Sequence, residues 1–225
     1  MKKIQFTADN KKSSVSTLAG IIIMILLTVT KVVPSSKTAG YAVFVGIAFF
    51  FITEAIAKTH NNESGLRFNT IAADIKKPGV IIWTLLPIAS AIVTLIVGNL
   101  LFGEEFVSHV LGRTDSILSF DKITLLIGQI IIAAFGEEIA FRGFFFGKSA
   151  KMFPIWLCAV ASSAVFALGH IAAGNIEIVI FDVASIFIDS LIFSVIYHKT
   201  ENCVISTFSH IFGNATAIVC LFVLF

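Results

Sequence analysis

The chain has 225 residues, of which 57% are hydrophobic and only 13% charged, with 23 phenylalanines, a net charge of +2 and a mean hydropathy of +0.96. A soluble domain of this size carries about a quarter charged residues, so the composition excludes one. What remains is an all-α polytopic bundle of about seven transmembrane helices, with the lipid bilayer as its solvent and no nucleic-acid partner expected.

A bilayer is crossed by about 20 apolar residues in a helix. Stretches of that kind are predicted at about 15–33, 39–57, 80–101, 123–146, 155–172, 176–197 and 204–224. The first follows Lys2, Lys3, Lys11 and Lys12. It is long for a cleaved signal and more spans come after it, so it reads as an uncleaved helix. Pro87 is placed to kink the third span. Between the third and fourth, residues 104–112, with Phe106, Val107, Val110 and Leu111, read as a short interfacial helix. Residues 1–117 form an N-terminal tail with three spans, and 118–225 form a core of helices four to seven.

Lysine and arginine collect in cytoplasmic loops. With the N-terminus inside, that side holds Lys2, Lys3, Lys11, Lys12, Lys58, Arg67, Lys76, Lys77, Arg142, Lys148, Lys151 and Lys199, twelve residues against Lys31, Lys37, Arg113 and Lys122 outside. The expected topology is N-terminus in and C-terminus out, and short loops with compact size suit a bacterial plasma membrane.

Ionisable residues inside a bilayer are costly and mark functional sites. Glu137, Glu138 and Arg142 lie in the fourth span, and His170 and His210 in the fifth and seventh. At 1.5 Å per residue, Glu137, His170, His210 and Asn214 fall roughly 14 to 24 Å from the cytoplasmic helix ends, near mid-membrane. Residues four apart share a helix face, so Arg142 is placed to pair with Glu138, leaving Glu137 as the better candidate base. His210 and Asn214 share that spacing and point one way, and Phe166 and His170 repeat it. Glu137 with His170 suits activation of a water. His210 with Asn214 suits stabilisation of the tetrahedral intermediate of amide hydrolysis, with a neutral imidazole and an amide as donors.

Glu137-Glu138-Ile-Ala-Phe-Arg142, Phe166-Ala-Leu-Gly-His170 and His210-Ile-Phe-Gly-Asn214 resemble the EExxxR, FxxxH and HxxxN signatures of the CPBP intramembrane proteases. That family includes CAAX prenyl endopeptidases and bacterial bacteriocin-processing or self-immunity (Abi) proteins. The resemblance covers about residues 118–217. It implies an intramembrane endopeptidase with Glu137, His170, His210 and Asn214 catalytic, and with Glu138, Arg142 and Phe166 in support. The implied substrate is a membrane-associated peptide or protein, prenylated or a bacteriocin. A zinc held by Glu137, His170 and His210 is the rival to the glutamate reading, although no HExxH is present. A self-immunity or interaction protein, with or without proteolysis, is the alternative function, and a transporter relaying through Glu54, Asp182 and Asp189 is the third.

The remaining polar residues have structural readings. Asp182 and Asp189 read as bundle-facing contacts, Glu54 with Lys58 as a simple pair, and His60, His109 and His198 as solvated side chains. Cys158, Cys203 and Cys220 read as small core residues with no disulfide framework. Phe144, Phe145 and Phe146 read as lipid-facing or packing surface. Gly143, Gly147, Gly169 and Gly213 read as sites of close helix approach.

Overall fold

The computed structural model describes residues 8–30, 40–59, 64–115 and 122–224. Lys2, Lys3, Lys31, Lys37 and His60 lie outside the described residues. Among those described there is helix and no strand: α1 (Ala8–Val29), α2 (Tyr41–Ala57), α3 (Ile71–Ile75), α4 (Val80–Phe102), α5 (Glu104–Asp115), α6 (Ile123–Ser149), α7 (Ile155–Leu168), α8 (Ile176–Thr200) and α9 (Cys203–Leu224).

Helices α1, α4, α6, α8 and α9 are long and apolar enough to cross a membrane. Helices α2 and α7 are apolar but shorter, at 17 and 14 residues. Five long helices and two shorter ones make up the expected bundle of about seven apolar helices, with α2 and α7 shorter than the stretches read from the sequence. The α7 helix stops at Leu168, and the chain turns there, with Gly169 N bonded to Val165 O and His170 N to Ala167 O. The outer faces are apolar: Ile82, Leu100 and Ile132 are 72%, 78% and 75% exposed. Such side chains are stable only where lipid replaces water, and the chain is a multi-pass membrane protein.

Small residues set the closest contacts, because helices in lipid associate through packing. At Gly46 of α2, a methyl group would lie 2.6 Å from Ala140 Cβ and 2.9 Å from Ala140 Cα, so α2 can lie against α6 only with glycine there. Gly213 of α9 faces Pro87 of α4 in a similar way. Phe144, Phe145 and Phe146 are buried in the cluster that joins α1, α2, α6 and α7, which settles their role as packing. Cys158 and Cys203 share that cluster as free thiols. Glu54 pairs with Lys148 of α6 instead of Lys58, which takes the left-handed position that ends α2, at φ 51.

At the end of the bundle that carries Arg67, Lys77 and Lys199, Asn202 ties the segment after α2 to the α8–α9 turn. Its amide donates to Arg67 O at 2.7 Å and to Asp74 Oδ2 at 3.0 Å, and its oxygen accepts from Arg67 N at 3.1 Å. Lys77 Nζ stands 2.8 Å from Asp74 Oδ1. Burial works to raise the Asp74 pKa, but the Lys77, Asn202 and Thr70 contacts outweigh it and hold that carboxyl below its ordinary value. At the opposite end, Gly103 turns α4 into α5 with φ 63 and ψ −150, a conformation only glycine adopts without strain.

Candidate active site

Glu137 and Glu138 close the α-helical part of α6. From Ile139 to Phe146 the helix widens to π register, with Gly147 N donating to Arg142 O five residues back, and all eight residues of that stretch are buried. Single wide turns of this kind recur at functional sites because they re-aim side chains without ending the helix. Here the wide stretch begins immediately after the two acids and contains Arg142.

Arg142 and Glu138 are both fully buried. Arg142 Nη1 donates to Glu138 Oε1 at 2.9 Å, and Nη2 donates to Ser190 Oγ at 2.6 Å and to Ser190 O at 3.1 Å. The guanidinium lies 4.6 Å from the Phe166 ring centre and 5.0 Å from that of Phe193, so its faces meet aromatic quadrupoles while its edge meets oxygen. This arrangement neutralises both charges away from water, and it ties α6 to α7 and α8.

His210, from α9, joins this pair. Its Nδ1 is 3.0 Å from Glu138 Oε1, its Nε2 is 3.7 Å from Glu137 Oε2, and its ring stacks on Phe193 at 4.7 Å. Glu138 already serves as the carboxylate partner of Arg142 and can only accept, so the imidazole proton sits on Nδ1. The Nε2 atom of the neutral ring is then an acceptor turned toward Glu137. This differs from the expected neutral donor: His210 can donate from Nε2 only after it gains a proton.

His170 lies two residues beyond the end of α7, in the turn that follows it, not within the helix as expected. Its Nδ1 is 2.8 Å from Phe166 O, a carbonyl that can only accept. The same reasoning puts the proton on Nδ1 and leaves Nε2 basic. Phe166 packs against His170 at 4.6 Å between ring centres and edge-on to His210 at 5.9 Å, spacing the two imidazoles.

Glu137, Phe166, His170, His210 and Asn214 line one cavity of about 220 Å³. The four polar residues and the phenylalanine singled out in the sequence are therefore brought together, with Glu138 and Arg142 packed behind them. The same cavity is lined by Asp182 and Asp189 of α8, expected only as bundle contacts, and by Arg113 of α5. His109, expected in solvent, is buried, with its Nε2 3.3 Å from Asp182 Oδ2, and Arg113 Nε is 3.0 Å from the same oxygen. Short helix α5 thus folds over the cavity, with Phe106 and Val110 in the apolar cluster beneath it. The sequence reading missed Ser190, Phe193 and Arg113, and none of the three carries a motif that would mark it.

For zinc, Glu137, His170 and His210 are not drawn into a shared ligand set. Among the described residues no group of three His, Cys, Asp or Glu is placed to hold a metal ion. The donor set as folded does not fit a three-ligand zinc centre.

Residues 119–216 match the family model described as type II CAAX prenyl endopeptidase, Rce1-like. No curated protein and no solved structure matches the chain.

Proposed function

We propose, on the match of residues 119–216 to that family model, that the chain is an endopeptidase in which Glu137 and the two histidines activate water against a peptide bond. The observation that supports this most is the meeting of Glu137 of α6, His170 of the turn after α7, and His210 and Asn214 of α9 on one cavity. Water held by Glu137 and His170 Nε2 gives a proton to Glu137 as its oxygen bonds to the carbonyl carbon. The proton passes across the 3.7 Å gap to His210 Nε2, and the imidazolium so formed faces the Glu138 carboxylate at its other nitrogen. His210 and the Asn214 amide then donate to the oxyanion. Collapse of the intermediate breaks the C–N bond, and the leaving amine takes the proton back.

The cavity residues Leu95, Val110, Ile130, Asp182 and Leu221 all sit toward the α4–α5 end of their helices, away from the end that carries Arg67, Lys77 and Lys199. With the lysine-rich end cytoplasmic, substrate meets the site from mid-membrane and the outer half. The substrate in this reading is a membrane-associated peptide whose apolar residues are received by Leu95, Val110 and Leu221.

Comparison of membrane peptidomes from cells carrying the intact chain and Glu137→Gln tests the reading. Specific fragments that vanish in the variant, at equal protein levels, are expected. Identical peptidomes would remove the peptidase assignment.

A further inference from the structure

His210 and Asn214 lie four apart on α9, and so do the residues just before them, Ser209 and Gly213. Residues at that spacing share a helix face, and successive residues are turned by about 100°. Helix α9 therefore has two adjacent faces. One brings His210 and Asn214 to the cavity, and the other meets α4 at its proline. Pro87 has no N–H for the Trp83 carbonyl, and its ring crowds that carbonyl, so the hydrogen-bond ladder of α4 is broken here. Backbone oxygens at such a break in lipid take donors from neighbouring helices. Ser209, fully buried, supplies one: its Oγ donates to Thr84 O at 2.9 Å. One turn further along, α9 runs against the proline ring. A methyl group at Gly213 would lie 3.1 Å from Pro87 Cβ, inside the separation at which carbon atoms attract. A directional bond at one point and a close approach at the next together fix the rotation of α9 and its height along α4.

That rotation matters to the site. His210 Nδ1 lies 3.0 Å from Glu138 Oε1, and the ring stacks on Phe193. A displacement of about 0.6 Å takes such a contact out of hydrogen-bond range. We propose that Ser209 is a positioning residue of the reaction: its bond to the proline break of α4, with Gly213 seated against the ring, holds α9 in the rotation that delivers His210 to Glu138 and Asn214 to the cavity. The inference rests on the peptidase reading for its effect on rate. It also gives α4, which precedes the residues matched to the family model, a share in placing the two oxyanion donors.

The placement of the imidazole is read apart from activity, by nitrogen NMR of the purified protein labelled at histidine, with the His210 signals assigned as those lost in His210→Gln. In Ser209→Ala those signals move away from the parent's Nδ1-protonated form. On a peptide that the parent cleaves, kcat falls about tenfold or more with KM little changed, because a small misplacement of a reacting group acts on the chemical step. Thr53→Ala removes another fully buried hydroxyl, one bonded to Phe49 O and Phe50 O within its own helix α2, and leaves both readouts at parent values. Gly213→Ala presses α9 off Pro87 and moves the His210 signals too, and it decides should Ser209→Ala fail to fold. His210 signals or a kcat unchanged in folded Ser209→Ala, or shifted as far by Thr53→Ala, overturn the proposal. A parent that cleaves no peptide overturns the peptidase reading instead, and the ring signals then still decide whether Ser209 places His210.

Discussion

His210 Nδ1 stands 3.0 Å from Glu138 Oε1, the same oxygen that accepts from Arg142 at 2.9 Å. One buried carboxylate oxygen thus fixes both the orientation and the tautomer of an imidazole that belongs to another helix. Glu138 acts through His210 and is a positioning residue.

Replacing Glu138 with Gln keeps the shape but lets the imidazole proton move to either nitrogen. Cleavage should fall about 10- to 100-fold, as for losses of a group that orients a reactive histidine. The loss should appear in kcat with little change in KM, and the pH profile should move, which a purely structural role would not produce. Steady-state kinetics in detergent across pH reads both.

Arg142→Ala leaves the fully buried Glu138 carboxylate without its cation. The expected cost is about 3–5 kcal/mol, read as a large drop in melting temperature or as loss of folded protein. Ser190→Ala removes one of the arginine's contacts and should cost only about 1 kcal/mol. Equal effects from the two would contradict the ion pair as the support of this site.

The polar residues of the three signatures were legible because a charge or imidazole in an apolar run stands out against lipid. The spacing of Glu138 and Arg142 also announced their pair. Other parts were not legible, for identifiable physical reasons. The π register of residues 139–146 leaves no mark in apolar periodicity. His109 and Arg113 sit on the polar face of a short amphipathic helix, which reads as solvated until the fold brings Asp182 to meet it. His210 reaches the two glutamates across 72 residues of sequence, a contact that no local spacing encodes. The length of α7 was misjudged because apolar residues continue past the turn at Leu168.

Gly46→Val should prevent α2 from docking on α6, since the added carbons meet Ala140 backbone and not a movable side-chain tip. Gly128→Ala, where an added methyl meets nothing within 4 Å, should be neutral or gain up to about 1 kcal/mol from helix propensity. Yields of monodisperse protein from the two variants check this.

The Asp74 carboxyl is held below its ordinary value of 3.8 in the folded chain. A lowered folded pKa contributes stability that is present above pH about 4 and lost as pH falls through the folded value. Asp74→Asn should therefore melt lower than the parent at pH 7, and the gap should close on acidification below pH 4. A gap that is constant with pH, or one that grows on acidification, would refute this account of the Asn202 clamp.

Cysteines placed singly at Lys76 and Glu104 of a chain freed of its own three thiols should label oppositely with an impermeant maleimide added to intact cells. Glu104 should react and Lys76 should not if the lysine-rich end faces the cytoplasm as its charge predicts, since the two flank α4 at its opposite ends. The reverse pattern would invert the topology and place the cavity's near side in the cytoplasm.

The most direct test of the whole account is cleavage of a quenched fluorescent peptide by the purified protein and by four single variants: Glu137→Gln, His170→Ala, His210→Ala and Asn214→Ala. The substrate is chosen from the fragments that differ between the two peptidomes. The account predicts that Glu137→Gln, His170→Ala and His210→Ala lose activity by about 10³-fold or more, and that Asn214→Ala loses about 10²-fold. All variants should remain folded and monodisperse. Cleavage by folded Glu137→Gln at the parent rate would contradict it.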